Sequence, residues 1–200
     1  GFLSDTRYVG QSGTTVNRDL VDAPSQLYEE WARRKETLYK VAEYCDPACR
    51  RIDDALSERL NAVHNYGRGA RYARQTLYAQ YDMALHDKDP RQLQPLDVWK
   101  KMESATALGY VENTQFPGQF GHLMGYQAGY YGYMWSEVLA LDMLSAFGDN
   151  LNNPEIGQRY RQTVLSQGSQ KKAAELVKDF LGRAPDNKAF LDEITGQRVK

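Results

Sequence analysis

The amino-acid sequence predicts an all-α fold, and three observations support this prediction. Apolar residues recur with helical spacing along most of the 200 residues. Alternating patterns of the kind that predict strands are nearly absent, and several segments begin or end at residues that favour helix termini. With 42% hydrophobic and 26% charged residues, the chain can bury a core. We therefore expect a single α-helical unit over residues 1–200.

The first elements of this unit are a loop and a helix. Residues 1–17 are polar and interrupted by glycine, which is typical of a loop that packs against a neighbouring segment. Residues 18–46 have helical spacing, with Leu27 and Trp31 on one face and Pro24 near the start, where proline is tolerated. We expect one helix over this second range.

Two more helices are predicted before the middle of the chain. Residues 53–66 form the first of these segments and residues 69–86 form the second. Leu77, Tyr81 and Leu85 recur at every fourth position in the second segment, so they share one face of a helix. This face is expected to be buried.

The second half of the chain adds helices whose ends are marked by particular residues. Asp97 is expected to be the N-cap of one helix, and Asn153 with Pro154 is expected to begin another. Between them, residues 115–148 are expected to form a loop rich in glycine and tyrosine, followed by the most apolar helix, which Gly148 would end. Two shorter helical segments complete the chain.

Composition argues against two kinds of partner. The 25 basic and 26 acidic residues give a net charge of −1, so no excess of positive charge favours nucleic acid or an anionic membrane. No apolar run approaches the roughly 20 residues that cross a bilayer, and no signal peptide is visible. We expect a cytoplasmic protein, with mitochondria as the alternative location.

The two cysteines, Cys45 and Cys49, are separated by three residues that include Pro47. This spacing allows either a disulfide or half of a metal site. In a reducing compartment, cysteines are more often free thiols than disulfide partners. We therefore expect two ordinary thiols.

The stretch FGHLMGYQAGYYGYMWSEV, residues 120–138, combines four tyrosines, four glycines and a histidine. If the helix includes the first of these tyrosines, Tyr126, Tyr130 and Tyr133 lie on one face. An aromatic stripe more often packs in a core, with its hydroxyls paired locally. Alternatively, the stripe is the wall of a cleft that donates hydrogen bonds to an oxyanion or a substrate backbone, beside a glycine-rich loop that carries His122.

Two acidic residues, Asp19 and Asp22, lie on one side of a helical turn in RDLVDAPSQ. Carboxylates favour helix N-termini, so capping explains the pair without any catalytic function. The alternative is a carboxylate metal ligand with a second carboxylate behind it. A catalytic zinc site takes three protein ligands. No His-Glu-x-x-His pattern is present in this chain, whose histidines are His64, His86 and His122.

Two longer segments carry a resemblance to a known family. SGTTVNRDLVDAPSQLYEEWA and FGHLMGYQAGYYGYMWSEVLALDMLSAF are similar, in order and separation, to motifs of the thimet oligopeptidase and neurolysin family of zinc metallopeptidases, which includes oligopeptidase A and dipeptidyl carboxypeptidase. RQTLYAQYDMALH and YRQTVLSQGSQKKAAELVKDFLGRAPDNKAFL resemble two further family segments, so essentially the whole chain is covered. The resemblance implies an all-α, C-terminal part of a neurolysin-like fold.

This resemblance implies one zinc ion, most of whose ligands lie outside the chain. The family's third zinc ligand is a glutamate, and it falls on Asp22, whose side chain is one methylene shorter. Asp19 matches a family aspartate, and we expect it to support the ligand from behind. The family's His-Glu-x-x-His helix lies shortly before this segment, and GFLSDTRY resembles the sequence that follows that helix.

The resemblance also implies substrate contacts in the tyrosine segment. His122 matches the histidine of the family's mobile loop, and Tyr126, Tyr130 and Tyr133 match tyrosines that contact the substrate or the tetrahedral intermediate. Where the family has Gly-Gly-Tyr, this chain has Gly125 followed directly by tyrosine, which shortens the loop by one residue.

The resemblance implies that the intact protein hydrolyses short peptides by attack of a zinc-activated water. The expected partners are short peptide substrates and the N-terminal part of the peptidase, without which this chain is expected to be inactive. The alternative is a non-catalytic helical structural or interaction module, which the missing histidine pair and the aspartate at position 22 favour. Aromatic binding of single-stranded nucleic acid fits the tyrosines but not the acidic balance.

Overall fold

The computed structural model of the protein describes residues 1–45 and 49–197, which form helices joined by turns, with no strand. The predicted all-α fold is confirmed. Within this described part, no helix combines the length and the hydropathy that a bilayer span requires. The α-helices, numbered in chain order, are α1 (Arg18–Val21), α2 (Ala23–Arg33), α3 (Lys35–Glu43), α4 (Asp54–Asn65), α5 (Arg68–His86), α6 (Pro95–Ser104), α7 (Tyr131–Ser145), α8 (Pro154–Tyr160), α9 (Ala173–Leu181) and α10 (Lys188–Thr195).

The described residues form two compact units, whereas the sequence predicts one. Unit 1 lies within Gly1–Arg68 and Trp135–Lys200, and unit 2 is Gly69–Met134. Each unit has its own hydrophobic core. The physical reason for the division is that the aromatic side chains of unit 2 pack on one another and close a second core.

The core of unit 1 includes the C-terminal half of helix α7. The residues from Leu139 to Leu144 are all buried, which is typical of a helix enclosed by others. Trp31 of α2 packs edge-on against Phe147, with ring centroids 5.3 Å apart. Burial of one such side chain contributes about 1.5–3 kcal/mol. Other segments contribute buried apolar side chains that include Leu20, Ala23, Leu27, Tyr160, Val164, Ala173, Leu176, Val177 and Phe180.

The core of unit 2 is mainly aromatic. Tyr81 of α5 and Trp99 of α6 are fully buried, and their ring centroids are 5.0 Å apart. The ring of Phe116 stacks on Trp99 with a centroid separation of 4.3 Å. The predicted stripe of Leu77, Tyr81 and Leu85 faces this core, so that prediction is confirmed.

Three successive helices occupy most of residues 18–46, where a single helix is expected. Helix α1 ends at Val21 because Pro24, in the first turn of α2, has no N–H group to donate to a carbonyl of α1. The second break is at Arg34, whose backbone is extended (φ −80°, ψ 132°). No glycine or proline marks this break, so local sequence patterns do not predict it.

The two predicted N-caps have different outcomes. The side chain of Asn153 accepts hydrogen bonds from the backbone N–H groups of Glu155 (3.0 Å) and Ile156 (3.3 Å), so this prediction is confirmed. The prediction for Asp97 is wrong, because α6 begins at Pro95 and Asp97 lies within its first turn. Proline, whose φ is fixed at about −65°, suits the first helical position.

Cys45 and Cys49 form a disulfide, so the prediction of two free thiols is wrong. Helix α3 ends at Glu43, before the first cysteine, and the Cα atoms of the pair are 5.4 Å apart, a separation that a disulfide spans. The prediction depended on composition and compartment, which carry no information about this local geometry. Residues 46–48, which include Pro47, lie outside the described part of the chain.

The first residues of the chain pack against a turn that precedes α9. The N–H group of Asp5 donates to the carbonyl of Ser166 (2.8 Å), and the N–H group of Ser169 donates to the carbonyl of Gln11 (2.9 Å). At Gly168, φ is +53° and a Cβ atom would lie 2.0 Å from the Gln11 carbonyl oxygen. Only glycine fits so close an approach, and this fixes the path of the segment that leads to α1.

Candidate functional site

The predicted metal-binding aspartates lie where α1 meets α2, within unit 1. Asp19 is the second residue of α1, where a carboxylate is favoured, and Asp22 is the residue between the two helices. Both residues are half-buried. The carbonyl oxygen of Asp22, rather than its carboxylate, accepts hydrogen bonds from the N–H group of Gln26 (3.0 Å) and the hydroxyl of Ser25 (2.8 Å). Asp22 is thus the N-cap residue of α2, but its side chain accepts no capping hydrogen bond.

The junction that carries these aspartates is fixed to helix α7. The hydroxyl of Ser136 donates to the carbonyl oxygen of Asp19 at 2.9 Å, and Ser136 is fully buried. On either side of Asp22, Leu20 and Ala23 are buried in the core of unit 1. The backbone at Asp22 is consequently held by packing, and the residue as a whole is half-buried.

A catalytic zinc ion takes three protein ligands, usually histidine nitrogens and carboxylate oxygens. In the part of the chain that the structure describes, no group of three histidine, cysteine, aspartate or glutamate side chains could hold a metal ion. His64 lies 3.8 Å from Glu193, and His86 lies 3.1 Å from Asp82. Asp22 is therefore at most one ligand of a zinc site, and these residues do not fit a zinc ion by themselves.

The predicted histidine and the three predicted tyrosines come together within unit 2. His122 lies in a short 3₁₀ turn, Gly121–Met124. Its ring centroid is 5.4 Å from that of Tyr126, 4.9 Å from that of Tyr130 and 5.5 Å from that of Tyr133. We call these four residues the histidine–tyrosine cluster. Tyr126 is 60% exposed and Tyr133 is 38% exposed, so the cluster is not sealed inside a core.

The backbone that brings the three tyrosines together differs from the continuous helix considered from the sequence. Helix α7 begins at Tyr131, so Tyr126 and Tyr130 both precede the helix and only Tyr133 lies on it. Ala128, with φ +54°, has a left-handed backbone that interrupts any helix through this segment. The shared helix face is expected only if the helix includes Tyr126, and this condition does not hold, although Tyr130 and Tyr133 are still adjacent, with centroids 5.0 Å apart.

The hydroxyl of Tyr130 is hydrogen-bonded within unit 2. The phenol donates to the side-chain oxygen of Gln75 at 2.9 Å, and its ring packs edge-on against Tyr78. Burial, followed by the proximity of Tyr78 and Tyr133, raises the pKa of Tyr130 above its usual value, so the group is a neutral donor at neutral pH. Local packing therefore accounts for Tyr130, whereas Tyr126 and Tyr133 are more exposed.

Sequence reasoning missed two residues that organise this cluster. Gln75 accepts the Tyr130 hydroxyl, and Asp82 accepts backbone N–H groups of residues 128–130. Asp82 is separated from His86 by one helical turn in the segment DMALH, a spacing that could have indicated a buried acid–histidine pair. Gln75 has no such signal, because its partner is 55 positions away.

Comparison with known proteins supports the interpretation of these motifs. The sequence model for peptidase family M3 matches residues 1–196. Thimet-like oligopeptidase of Dictyostelium discoideum is 34% identical over 188 residues, which are 92% of this chain and 28% of the relative. Saccharolysin of Saccharomyces cerevisiae is 34% identical over 200 residues (97% and 28%), and oligopeptidase A of Escherichia coli is 31% identical over 200 residues (96% and 29%).

The all-α fold, the motifs and these relatives define a protein related to the metallo-oligopeptidases. The chain belongs to peptidase family M3, which confirms the family resemblance that the sequence indicates. It spans less than a third of the length of the curated relatives that it matches.

Proposed function

We propose that this chain is part of a zinc metallo-oligopeptidase that hydrolyses short peptides. The observation that carries the proposal is the histidine–tyrosine cluster, in which three tyrosine rings surround His122 while Tyr126 and Tyr133 remain exposed. Membership of peptidase family M3 supports peptide hydrolysis as the reaction. We further propose a cytoplasmic location.

In this proposal Asp22 is the third protein ligand of one zinc ion. Its carboxylate accepts no capping hydrogen bond from α2, the residue is half-buried, and the neighbouring residues Leu20 and Ala23 lie in the core. Zinc, when bound, would acidify a water molecule and polarise the scissile carbonyl. Because no group of three possible ligands is found among the described residues, the proposal assigns the other ligands to residues outside this chain. Asp19 supports the junction through its carbonyl oxygen, which accepts the hydroxyl of Ser136.

The tyrosines of the cluster act as hydrogen-bond donors in this proposal. A phenol O–H group donates to an oxyanion or a peptide carbonyl without a change in its own charge. Tyr133 and Tyr126 are the exposed members and would meet the substrate, while Tyr130, bonded to Gln75, holds His122 and Tyr133 in place through ring contacts. His122 would then orient toward the substrate from the glycine-bounded turn.

Exposed apolar side chains on helix α4 support a further part of the peptidase as a partner. Leu56, Leu60 and Val63 are exposed and recur with helical spacing, so they form one apolar face. An apolar face of this kind favours association with another protein surface. The N-terminal part of the peptidase is the partner that we propose for this face, in addition to short peptide substrates.

The alternative proposal is a non-catalytic helical module descended from such a peptidase. It is favoured by a single observation on the described residues, the lack of a complete set of metal ligands around Asp22. The two proposals differ in whether the full-length protein cleaves peptides.

The decisive experiment compares the full-length protein with the 200-residue chain in an assay with an internally quenched short peptide. We expect the full-length protein to cleave the peptide, a zinc chelator to stop cleavage and added zinc to restore it. We expect the chain alone to cleave nothing. If the zinc-loaded full-length protein cleaves no peptide, the non-catalytic module is the correct proposal. If the chain alone cleaves the peptide and a chelator stops this, the claim that the chain lacks part of the catalytic site is wrong.

Asp22→Ala in the full-length protein tests the ligand itself, and Asp149→Ala, at an exposed position in unit 1, is its control. We expect the first substitution to abolish cleavage and the second to leave it unchanged. Equal activity of the two variants would remove Asp22 from the proposed site.

A further inference from the structure

The carboxylate of Asp82, in helix α5, accepts hydrogen bonds from three consecutive backbone N–H groups. Its Oδ1 atom lies 2.8 Å from the nitrogen of Ala128, and its Oδ2 atom lies 2.9 Å from the nitrogens of Gly129 and Tyr130. Asp82 is fully buried. Because hydrogen bonds to a carboxylate are short and strong in such surroundings, this one side chain fixes the backbone of residues 128–130.

His86 contacts the same carboxylate from one turn further along α5. Its Nδ1 atom lies 3.1 Å from Asp82 Oδ1 and 2.7 Å from the Asp82 carbonyl oxygen. Since both neighbours are acceptors, Nδ1 is the protonated nitrogen and donates to them. The Asp82 carboxylate thus accepts hydrogen bonds from the three backbone N–H groups and from the His86 ring, so its buried oxygens are satisfied without solvent.

The segment bound by Asp82 contains Ala128 in a backbone conformation that alanine rarely adopts. Ala128 has φ +54°, in the left-handed region where a Cβ atom is unfavourable. Such a backbone persists only where its surroundings determine it. The hydrogen bond from the N–H group of Ala128 to Asp82 is one such determinant, and the neighbouring bonds of Gly129 and Tyr130 are two more.

We infer that Asp82 is a positioning residue that sets the loop between Tyr126 and Tyr130. Tyr130 is itself bound through its N–H group, and its ring is 4.9 Å from His122, so the carboxylate determines where the histidine–tyrosine cluster forms. The catalytic part of this inference rests on the proposed function, in which the cluster contacts the substrate. The structural part, that Asp82 fixes residues 128–130, is independent of it.

The test replaces Asp82 with Asn in the full-length protein and measures hydrogen–deuterium exchange. Asn retains the shape of the side chain but presents an NH₂ group where one carboxylate oxygen accepts, so at least one of the three bonds is lost. We expect the amides of residues 128–130 to exchange about ten-fold faster than in the parent protein.

Asp142→Asn is the matched control in unit 1. Asp142 is equally buried, and its Oδ2 atom accepts hydrogen bonds from Arg183 (3.0 Å) and from the N–H group of Asp186 (2.9 Å). This variant is expected to lose stability without faster exchange at residues 128–130. The comparison separates a local effect on the loop from general destabilisation.

Steady-state kinetics provide a second measurement, because kcat per folded molecule would not change if Asp82 only stabilised the fold. In Asp82→Asn we expect kcat to fall by about 10- to 100-fold, while KM changes less than about three-fold, because misplaced cluster donors cost most in the transition state. In Asp142→Asn, kcat per folded molecule is expected to be that of the parent. Equal kcat in the two variants would remove the catalytic part of the inference.

Unchanged exchange at residues 128–130 in Asp82→Asn, or the same increase in Asp142→Asn, would overturn the structural part. If Asp82→Asn does not fold, His86→Ala takes its place, since the His86 ring is partly exposed. It is expected to raise exchange at residues 128–130 about three-fold, and no increase would count equally against the inference. If the parent protein cleaves no peptide, the proposed function fails, and the exchange result alone decides the role of Asp82.

Discussion

The hydroxyl of Ser136, in helix α7, lies 2.9 Å from the carbonyl oxygen of Asp19. Because Ser136 is fully buried, this hydrogen bond ties the short helix α1 to the core of unit 1. Asp22 follows three residues after Asp19, so its position depends on a hydroxyl in a distant part of the sequence. The candidate metal ligand is thus supported by the same helix that forms much of the hydrophobic core.

Ser136→Ala is expected to lower the free energy of unfolding by about 1 kcal/mol, because the Asp19 carbonyl loses a buried donor. Urea unfolding of the full-length protein measures this change. Ser145→Ala is the matched control: Ser145 is an exposed residue of α7 whose hydroxyl donates to a carbonyl of its own helix, that of Asp142. The control is expected to change the free energy of unfolding by less than about 0.5 kcal/mol. Equal losses in the two variants would show that the Ser136 hydroxyl has no special role.

Asp22→Glu is expected to tighten zinc binding by the full-length protein about ten-fold, since a longer side chain can bring its oxygen to the metal without backbone movement. Asp22→Ala is expected to weaken binding at least about 100-fold. Competition with a chromophoric zinc chelator measures both changes and does not depend on activity. Asp149→Glu, an exposed site, serves as the control and should bind zinc like the parent. Parent-like binding by Asp22→Ala would mean that Asp22 is not a ligand.

Tyr133→Phe in the full-length protein is expected to lower kcat about 100-fold and to change KM little, because an oxyanion donor acts mainly in the transition state. Steady-state kinetics with a short quenched peptide measure the two constants. Tyr131→Phe is the control, since Tyr131 is similarly exposed and lies outside the histidine–tyrosine cluster. An unchanged kcat in Tyr133→Phe would remove Tyr133 from the oxyanion contacts, and equal losses in both variants would make the effect non-specific.

Local sequence patterns predict the parts of this fold that depend on near neighbours. The stripe of Leu77 and Tyr81 and the cap at Asn153 need only residues within one helical turn, and both predictions are confirmed. The break at Arg34 is different, because no glycine or proline marks it. The start of α7 at Tyr131 is also different, because the residue before it, Tyr130, donates its N–H group to Asp82, 48 positions away. Patterns of three to four residues contain no information about such contacts.

In the candidate site, too, some features depend on local sequence and others on contacts between distant residues. Family resemblance identifies His122 and the three tyrosines, but helical periodicity does not explain how they meet. Their arrangement depends on Asp82, which is 46 positions from Ala128 in the sequence, and a left-handed alanine is not a feature that periodicity predicts. The long-range pairing of one buried carboxylate with three backbone amides becomes visible only in the folded chain.

The buried phenol of Tyr81 makes the stability of the folded chain depend on pH in the alkaline range. Burial raises the pKa of Tyr81 to about 12, whereas the pKa of tyrosine in an unfolded chain is about 10. The folded state therefore holds this proton over a range in which the unfolded state has released it. The stabilisation from neutral Tyr81 is fully present below about pH 10 and is lost as the pH rises toward about 12.

For one proton, the free energy of unfolding falls by up to about 1.4 kcal/mol per pH unit in this range. Tyr81→Phe removes the titrating group and the hydrogen bond to the Pro95 carbonyl (3.1 Å), so it is expected to be less stable at neutral pH and to lose less stability above pH 10. Urea unfolding at several alkaline pH values gives the two slopes. Tyr44→Phe, at a position 89% exposed, should keep the parent slope. Parallel slopes for the parent and Tyr81→Phe would contradict the raised pKa, because only a proton that the folded chain retains can make the two lines converge.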